Sequence, residues 1–336
     1  MKTIKRALWW VIAIAMLGIV VAAGALVVYA TSSLPIRGEP VQFSLTAGSS
    51  LTSAARQMAA AGIIHQPGAF VLLGRLLNRA GAIKAGSYEF QPGLTPHGLL
   101  QKITRGDVTL MGITFPEGST FAQWRTILNQ HAKLKHQTAE WADARILETL
   151  AINEKSPEGL FFPDTYHVSE GTSDLVVLRR AHQLMQRHLA NHWERRSVEL
   201  PMSTAYEALI LASIVEKETG REEDRPMIAA VFVNRLRKGM LLQADPTVIY
   251  GLGENFDGNL RKRDLATDTP YNTYTRSGLP PTPIAMPGLA SITAVLNPPD
   301  SDVLYFVSRG DGTSHFSRTL PEHDRAVTKY QRSRRR

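Results

Sequence analysis

The feature that most constrains this chain is an uncharged apolar stretch close to its first residue. Residues 7–30 (ALWWVIAIAMLGIVVAAGALVVYA) contain no Asp, Glu, Lys or Arg in 24 positions. A helix rises 1.5 Å per residue, so this stretch would be about 36 Å long and could cross a hydrocarbon core of about 30 Å with some tilt. The sequence therefore predicts a single transmembrane helix over residues 7–30.

The flanks of this stretch predict its processing and its orientation. A cleaved signal peptide would have an apolar region of about 7–15 residues and a small-x-small cleavage site. The 24-residue stretch is longer and has no convincing site of this kind, so an uncleaved signal anchor is favoured. The basic residues Lys2, Lys5 and Arg6 precede the span, which predicts a cytoplasmic flank over residues 1–6 and places the rest of the chain across the membrane. Residues 31–40 carry two prolines and a glycine and are predicted to be a linker.

The net charge of +8 does not indicate a nucleic-acid-binding surface, because the charge is confined to the two ends. Residues 1–6 contribute three positive charges and the basic tail at residues 329–336 contributes five, so the body between them is neutral. A nucleic-acid-binding surface needs a basic patch or stripe along the phosphates. We expect no nucleic-acid partner, although contact of the tail with an anionic polymer or lipid surface remains open.

The segment after the linker is predicted to be a small β-α-α-β subdomain over residues 41–107. The expected order is a strand at 41–45, helices at 51–61 and 68–79, and a strand at 86–90. A further helix begins at Thr95 and Pro96 and ends at Gly106. The subdomain carries no nucleophile–base pair and no metal cluster, so its expected role is binding or spacing.

Residues 108–328 are predicted to form a larger mixed α+β domain, with a strand near its start, several helices and two strands near its end. The expected elements are a strand at 108–115, a helix opened by Ser119 or Thr120, helices at 141–150 and 175–193, a helix that Asp224 caps and that runs to Lys238, a small helix at 291–296, a strand at 303–308 and its return at SHFS. Residues 242–253 and 269–292 are predicted to be long ordered loops, and such loops in compact domains are more often functional than not.

An aromatic segment, EGLFFPDTY at residues 158–166, has two interpretations. It could form a packed turn in which Asp164 caps local backbone amides. It could instead form a wall of a sugar-binding cleft, because aromatic faces suit pyranose rings. The residues leave both interpretations open.

The segment Ala205–Thr219 is predicted to be the helix around which the domain is organised. Thr204 can act as its N-cap with Glu207 three residues on, a capping-box spacing. Gly220 is a natural stop after the last turn.

Two glutamates near the end of this helix face different sides. Helical spacing places Glu218 on the same face as an apolar stripe, whereas Glu216 faces elsewhere. The negative end of the helix dipole and partial burial would both favour a protonated Glu218, which suits a general acid. The alternative is an ordinary solvated last turn. Glu216 is expected to be a supporting or solvated neighbour.

Other chemistries lack their residue patterns. No glycine-rich phosphate loop follows a strand, HExxH is absent, and Ser213 lies on a predicted helix and not at a strand–turn elbow. The chain has no cysteine, and His315, His323 and Asp324 form a weak metal pattern, so neither a metal nor a cofactor is expected. Hydrolytic glycosidases usually need two carboxylates. A sugar that attacks its own C1 with its C6 hydroxyl needs only one.

Five long motifs follow one another behind the apolar span. They are EGLFFPDTY (158–166), LASIVEKET (211–219), LQADPTVIYGLG (242–253), YNTYTRSGLPPTPIAMPG (271–288) and YFVSRGDGTSHFS (305–317). In this order they closely resemble the endolytic murein transglycosylases, also called YceG-like lytic transglycosylases. The resemblance covers essentially residues 1–330.

This resemblance implies a single-pass enzyme of the cell inner membrane, with a cytoplasmic N-terminus and a periplasmic catalytic domain at 108–328. Such an enzyme cleaves the MurNAc–GlcNAc β-1,4 bond of nascent peptidoglycan strands and leaves 1,6-anhydro-MurNAc ends, which terminates glycan elongation. The resemblance also implies that residues 41–107 are a LysM-like glycan-binding subdomain and that cell-wall synthases are partners. The alternative is a non-catalytic peptidoglycan-binding anchor that recruits those synthases.

Position within the motifs also implies the site residues. The catalytic glutamate of the family falls on Glu218. The residues implied to contact substrate are Gln243, Asp245, Tyr271, Asn272 and Tyr274. Asp245 before Pro246 could alternatively form an ordinary turn, and the Tyr271–Asn272 pair could tie the loops together. Thr282 and Met286 depart from the family pattern and are expected to be peripheral.

Overall fold

The computed structural model describes residues 2–46 and 48–332. These residues form a mixed α+β structure of many helices and three two-stranded sheets, which confirms the mixed α+β part of the predicted fold class. The chain divides into two compact units, one of residues 1–112 with 167–171 and the other of residues 113–166 with 172–336.

The first helix, α1 (Lys2–Thr31), contains the uncharged stretch. Its segment Trp9–Thr31 has a mean hydropathy of 2.9, and its side chains from Trp9 to Ala25 are all exposed. A helix of this kind is compatible with a single membrane anchor or with a signal sequence. The side chains of the predicted basic flank at residues 1–6, and residues 333–336 of the predicted tail, lie outside the described part of the chain.

The rest of the first unit has the predicted order of elements. They are β1 (Val41–Leu45), α2 (Leu51–Ala60), α3 (Pro67–Leu76), β2 (Gly86–Phe90) and α4 (Pro96–Arg105). The two strands are antiparallel, with Val41 opposite Phe90. The Thr95 hydroxyl caps α4, and Gly106 ends it in the left-handed region at a φ of 74°.

Residues 31–40 are attached to the first unit. Leu34 and Ile36 are buried in its core, and the Leu34 amide donates a hydrogen bond to the Leu94 carbonyl at 2.8 Å. The prolines and glycine of this segment do produce irregular backbone. The apolar side chains between them nevertheless hold the segment against the core, so it is not a solvated spacer.

The two remaining groups of elements follow in the chain. Strands β3 (Leu110–Thr114) and β4 (Thr165–Ser169) pair with each other, as do β5 (Tyr305–Ser308) and β6 (Ser314–Ser317). The helices of the second unit are α5 (Phe121–Gln130), α6 (Asp143–Thr149), α7 (Asp174–Glu194), α8 (Ala205–Glu218), α9 (Arg225–Arg237), α10 (Asp245–Leu252), α11 (Lys262–Ala266), α12 (Leu289–Leu296) and α13 (Leu320–Val327). A 3-10 turn at Gly253–Asn255 follows α10, and a π-helical turn at Thr328–Arg332 follows α13.

Helix α8 is the centre of the second unit. It contacts α7, α9, α10 and α12, and every residue from Ala208 to Val215 is buried. A helix that is covered on all sides needs apolar residues all round. The apolar stripe recognised in the sequence is therefore one part of a fully buried surface.

The beginning of α8 is as predicted, but its end is not. The Thr204 hydroxyl accepts a hydrogen bond from the Glu207 amide at 3.1 Å. The Glu207 carboxylate in turn accepts from the Ser203 amide and not from Thr204. The prediction that Gly220 stops the helix is wrong, because α8 ends at Glu218 and Thr219 already has extended backbone, with φ −148° and ψ 135°.

Two predictions after α8 are also wrong. Residues 245–252 of the expected loop form α10, in which Asp245 and Pro246 occupy the first turn, where Pro is favoured. Asp224 does not cap α9, because its carboxylate accepts a hydrogen bond from the Ser314 amide of β6 at 2.7 Å. In both cases a tertiary contact or a short helix packed against α8 replaces the local structure that residue type alone favours.

Candidate active site

The end of α8 opens into a cavity of about 390 Å³ in the second unit. Glu218, the last residue of the helix, lines this cavity. Three of the residues expected to contact substrate line it as well, namely Gln243, Asp245 and Tyr274. The other lining residues are Arg235, Phe306, Val307, Ser308, His323, Val327 and Gln331. Side chains that are far apart in the chain therefore meet around one carboxyl group, and we call this space the Glu218 cavity.

The surroundings of Glu218 favour its protonated form. Burial raises the pKa of its carboxyl to about 8, the nearby charge of Asp245 acts in the same direction, and the Arg235 guanidinium opposes both. A carboxylic acid with this pKa still carries its proton at pH 7. It can therefore donate a proton to a substrate at neutral pH and then exist as the conjugate base.

Arg235 is the one strongly charged group of the cavity that the sequence did not single out. It lies on α9 and is buried, and its Nε and Nη1 donate to the carbonyls of Leu304 and Leu242, both at 2.7 Å. These bonds hold a cation that cannot lose its charge next to Glu218. A signal was present, because Arg235 follows the apolar residues Val231 and Phe232 at helical spacing.

Asp245 and Tyr274 act as a hydrogen-bonded pair. The Tyr274 hydroxyl donates to Asp245 Oδ1 at 2.5 Å. Asp245 is also the first residue of α10, where the positive end of the helix dipole favours an anion. Burial, followed by this hydrogen bond, raises the pKa of Tyr274, so its hydroxyl stays protonated. The pair thus presents a fixed carboxylate to the cavity.

Gln243 has a backbone conformation that is uncommon for a residue with a side chain. Its φ of 51° lies in the left-handed region. The backbone N–H of Gln243 donates to the Thr273 carbonyl at 3.0 Å. The backbone N–H of Ala244 donates to the Thr273 hydroxyl at 3.0 Å. These bonds hold the turn in place, and the turn directs an exposed amide side chain into the Glu218 cavity.

Asn272 does not line the Glu218 cavity. It is fully buried, and its Nδ2 donates to the carbonyls of Leu265 at 3.0 Å and Thr267 at 2.6 Å. Its Oδ1 accepts a hydrogen bond from the Tyr274 amide at 2.8 Å. The side chain therefore holds the loop that carries Tyr274.

Tyr271 lies in a second cavity of about 730 Å³. It packs edge-on against Tyr250, with 4.8 Å between ring centroids, and its hydroxyl lies 2.9 Å from the Thr282 hydroxyl. Lys217 and Pro246, the chain neighbours of Glu218 and Asp245, also line this space. Residues that are neighbours in the chain therefore line the two cavities. We call this one the Tyr271 cavity.

Thr282 and Met286 were expected to be peripheral, and this expectation is wrong for both. Thr282 is the hydrogen-bonding partner of Tyr271 in the second cavity. Met286 is fully buried, and its amide and carbonyl pair with Ser119 and Gly118 at 2.8 Å. A departure from a motif does not by itself indicate a surface position.

The segment 158–166 combines the two interpretations that its sequence left open. Phe161 and Phe162 are buried in the core, so these aromatic rings form a packed turn and do not face a cleft. Glu158 instead lines the Tyr271 cavity and accepts hydrogen bonds from the Phe121 amide at 3.0 Å and the Tyr250 hydroxyl at 3.1 Å. Burial raises the pKa of Glu158 to about 7.

Glu216 is a supporting residue and not a solvated one. Its Oε2 accepts hydrogen bonds from the Gly288 amide at 3.0 Å and the Ser291 hydroxyl at 2.7 Å, at the beginning of α12. Its Oε1 lies 3.7 Å from the buried Arg225 guanidinium. These contacts join α8 to α9 and α12 directly behind Glu218.

The two histidines considered as metal ligands have different neighbours. His323 lines the Glu218 cavity and stacks on Tyr305, with 5.3 Å between ring centroids, whereas His315 lies beside Tyr330. Among the residues that the structure describes, no group of three or more His, Cys, Asp and Glu side chains is placed to hold a metal ion.

Comparison with known proteins relates this site to one family. A sequence model of the YceG-like family matches residues 43–329. The chain is 33% identical over 309 residues to a protein of Bacillus subtilis (strain 168) named endolytic murein transglycosylase, covering 86% of this chain and 84% of that protein. A protein of the same name from Streptococcus pneumoniae (D39) is 30% identical over 285 residues, covering 75% of this chain and 51% of that longer protein.

A solved structure is also similar to this chain. The crystal structure of a YceG-like protein from Listeria monocytogenes superposes with a TM-score of 0.55 at 30% sequence identity. The match covers 85% of this chain and 98% of that protein. The two chains are therefore similar in both sequence and fold over most of their length.

Proposed function

The chain belongs to the YceG-like family, and from this premise we propose that it is an endolytic peptidoglycan lytic transglycosylase. Its substrate is the nascent glycan strand, and it cleaves the β-1,4 bond between MurNAc and GlcNAc. The products are a 1,6-anhydro-MurNAc end and a free GlcNAc O4 hydroxyl, so the reaction terminates elongation of the strand. The observation that carries the proposal is the position of Glu218, a carboxyl group whose pKa burial raises to about 8, in a cavity lined by Gln243, Asp245 and Tyr274.

Glu218 acts twice in this mechanism. It first donates its proton to the glycosidic oxygen, the bond from MurNAc C1 to that oxygen breaks, and GlcNAc leaves with a hydroxyl at O4. The Glu218 carboxylate then takes the proton of the MurNAc C6 hydroxyl as that oxygen bonds to C1. The carboxyl group ends the cycle protonated as it began, and no water is consumed. The C6 hydroxyl is tethered to the reacting sugar, so its attack has an entropic advantage.

The charged neighbours of Glu218 have separate roles in this proposal. The carboxylate of Asp245 is held by Tyr274 and favours the positive charge that develops at C1 in the transition state. The cation of Arg235 stabilises the Glu218 carboxylate between the two proton transfers. Both groups are fixed before substrate binds, so they need no reorganisation during the reaction.

The remaining site residues are assigned by where they lie. We assign direct contact with the reacting sugars to Gln243, Asp245 and Tyr274, and contact with an adjoining sugar to Tyr271 in the Tyr271 cavity. Asn272 positions Tyr274 through the loop, because all its polar atoms are used within the protein.

The proposed location of the enzyme rests on α1. We assign α1 as an uncleaved anchor in the inner membrane, with a cytoplasmic N-terminus and a periplasmic catalytic domain. The exposed apolar segment Trp9–Thr31 and the basic residues before it support this assignment. The β1-α2-α3-β2 part of the first unit, with its antiparallel strand pair, is assigned as the LysM-like glycan-binding subdomain. Cell-wall synthases that supply the nascent strand are the proposed partners.

Product analysis on defined, uncrosslinked glycan strands tests the chemistry. Wild-type enzyme is expected to produce 1,6-anhydro ends, detected by mass spectrometry. Glu218→Gln should keep its fold and its glycan binding. Its rate of cleavage should fall by about 10²–10⁴-fold, the range typical for loss of a general acid–base group. Glu223→Gln, which changes an exposed carboxylate five residues away, is the matched control and should retain wild-type turnover.

Three results would contradict this proposal. Reducing ends in place of anhydro ends would make the protein a hydrolase, with Asp245 as the second carboxylate. Wild-type cleavage by Glu218→Gln would remove Glu218 from the reaction. Binding without turnover by the wild-type protein would favour the alternative role, a non-catalytic anchor that recruits synthases.

A further inference from the structure

The outward face of α3 is apolar although it takes no part in the core of the first unit. Leu72, Leu76 and Leu77 are 50%, 66% and 41% exposed. Leu72 and Leu76 are four residues apart and lie on one side of the helix, and Arg75 beside them is also exposed. The opposite side packs into the core around Phe70. We call Leu72, Arg75, Leu76 and Leu77 the α3 face.

The first unit begins to pack at a particular level of α1. Side chains from Trp9 to Ala25 are exposed, whereas Leu26 and Tyr29 pack against the core of the unit and Ala30 is buried in it. The rise from Trp9 to Leu26 is about 26 Å at 1.5 Å per residue, which is less than a hydrocarbon core of about 30 Å. A bilayer whose inner boundary is at Trp9 therefore extends to the level at which the unit begins, and a tilted helix would bring it still further along.

Helix α3 is one of the elements in contact with this end of α1. α1 packs against both α3 and α4. The Tyr29 hydroxyl donates to the carbonyl of Gln66, the residue directly before α3, at 3.3 Å. Tyrosine is enriched where hydrocarbon meets the headgroups. α3 consequently lies at the height of that boundary.

The charges of the surrounding segment suit an anionic lipid surface. Residues 40–88, which include the whole of β1, α2 and α3, contain four basic residues and no Asp or Glu. The basic residues are Arg56, Arg75, Arg79 and Lys84. Basic side chains next to a membrane anchor are attracted to anionic headgroups, and their long apolar stems can lie along the acyl boundary.

We propose that the α3 face lies in the interface of the bilayer and holds the first unit against anionic lipid beside the anchor. The inference rests on the proposed anchor and not on the proposed chemistry. The leucines enter the acyl boundary while Arg75 remains among the phosphates. Lipid is favoured over a protein partner because the face is at the level of the boundary and its segment lacks carboxylates. With three leucines, the face orients the unit and does not replace α1 as the anchor.

Site-directed spin labelling of the full-length chain in nanodiscs of phosphatidylethanolamine and phosphatidylglycerol tests this proposal. The chain has no native cysteine, so Ile19→Cys, Leu76→Cys and Leu110→Cys each provide a single labelling site. Ile19 reports on the anchor, and Leu110, which is 52% exposed on β3, is the matched control for Leu76. We expect labels at 19 and 76 to collide several-fold more with oxygen than with a water-soluble nickel complex, and the label at 110 to show the reverse. Arg75→Glu should shift the label at 76 toward water.

The outcomes separate this inference from the other proposals. A label at 76 that is as accessible to nickel as the label at 110, with 19 in lipid, would overturn the α3 contact. A label at 19 accessible to nickel would refute the anchor and the α3 contact together. Glycan cleavage measured on the same nanodiscs bears on the chemistry alone, so its failure is distinguishable from either result.

Discussion

Glu218 retains its proton at neutral pH because its environment penalises the carboxylate more than it stabilises it. Burial has the largest effect, the charge of Asp245 adds to it, and Arg235 offsets part of both. The offset matters in the second half of the proposed reaction, when the deprotonated Glu218 must exist long enough to accept a proton from the C6 hydroxyl. Without Arg235 the pKa of Glu218 would be higher still and its carboxylate would be less stable.

The pH dependence of cleavage follows from the pKa of about 8. Only the protonated Glu218 can start the reaction, so kcat/KM on defined strands should fall by about tenfold per pH unit once pH exceeds 8. Asp245→Asn removes the second cause of the raised pKa, so the alkaline limb should move to lower pH, whatever the loss in absolute rate. A profile that rises through pH 8 would contradict a protonated Glu218 as the acid.

The stability of Glu218→Gln gives an independent check of the same pKa. Between the unfolded-state pKa near 4.5 and the folded-state value near 8, the folded protein holds a proton that the unfolded chain has released. Stability of the wild type therefore decreases as pH rises through this interval. Thermal unfolding should show the Gln variant gaining stability relative to wild type from pH 4 to above pH 8, with little difference at pH 4.

At the scale of elements, Glu216 couples the end of α8 to the first turn of α12. Its carboxylate receives the Gly288 amide and the Ser291 hydroxyl and lies beside the buried Arg225. This contact holds the last turn of α8, which also carries Glu218, against α12. Glu216 therefore connects helices, whereas Glu218 lines the cavity.

Replacement of Glu216 should affect stability more than chemistry. Glu216→Ala removes the ion-pair partner of the buried Arg225 and leaves Glu117 as the nearby carboxyl group. We expect a loss of up to about 3–5 kcal/mol in the free energy of unfolding, measured by urea denaturation. Glu216→Gln keeps an oxygen acceptor for α12 and should lose less. Folded enzyme from either variant should retain the alkaline limb near pH 8. If Glu216→Gln abolishes cleavage while Glu218→Gln does not, the roles of the two glutamates are reversed.

The element that sequence periodicity missed, α10, also contributes to the site. It presents the positive end of its dipole to Asp245 and carries Pro246, Ile249 and Tyr250 into the Tyr271 cavity. At eight residues with two glycines nearby, its apolar pattern is too short to distinguish from a loop. Packing against α8 stabilises α10 as a helix, because isolated helices of this length are not stable in water.

At the scale of the whole molecule, the apolar α1 is compatible with a membrane anchor or with a signal sequence, and we propose the anchor. An uncleaved anchor predicts that tags at both ends of the chain stay together on a membrane-bound product of about the full 37.1 kDa. Fractionation and immunoblotting of doubly tagged protein measure this. A variant in which a cleavable signal sequence replaces residues 1–31 is the control and should release a shorter product. Separation of the two tags in the wild type would identify α1 as a signal sequence.

Local sequence patterns determined the parts of this protein that depend on neighbouring residues alone. The apolar α1, the order of β1 to α4, the Thr204 cap and the candidate Glu218 could all be predicted, because each follows from helical or strand spacing, from capping chemistry or from a motif. Tertiary structure alone decided which side chains share a cavity. It brought Arg235 beside Glu218, placed Tyr271 in a separate space and turned Asn272 into the core, because burial and charge proximity arise only when segments distant in the chain are packed together.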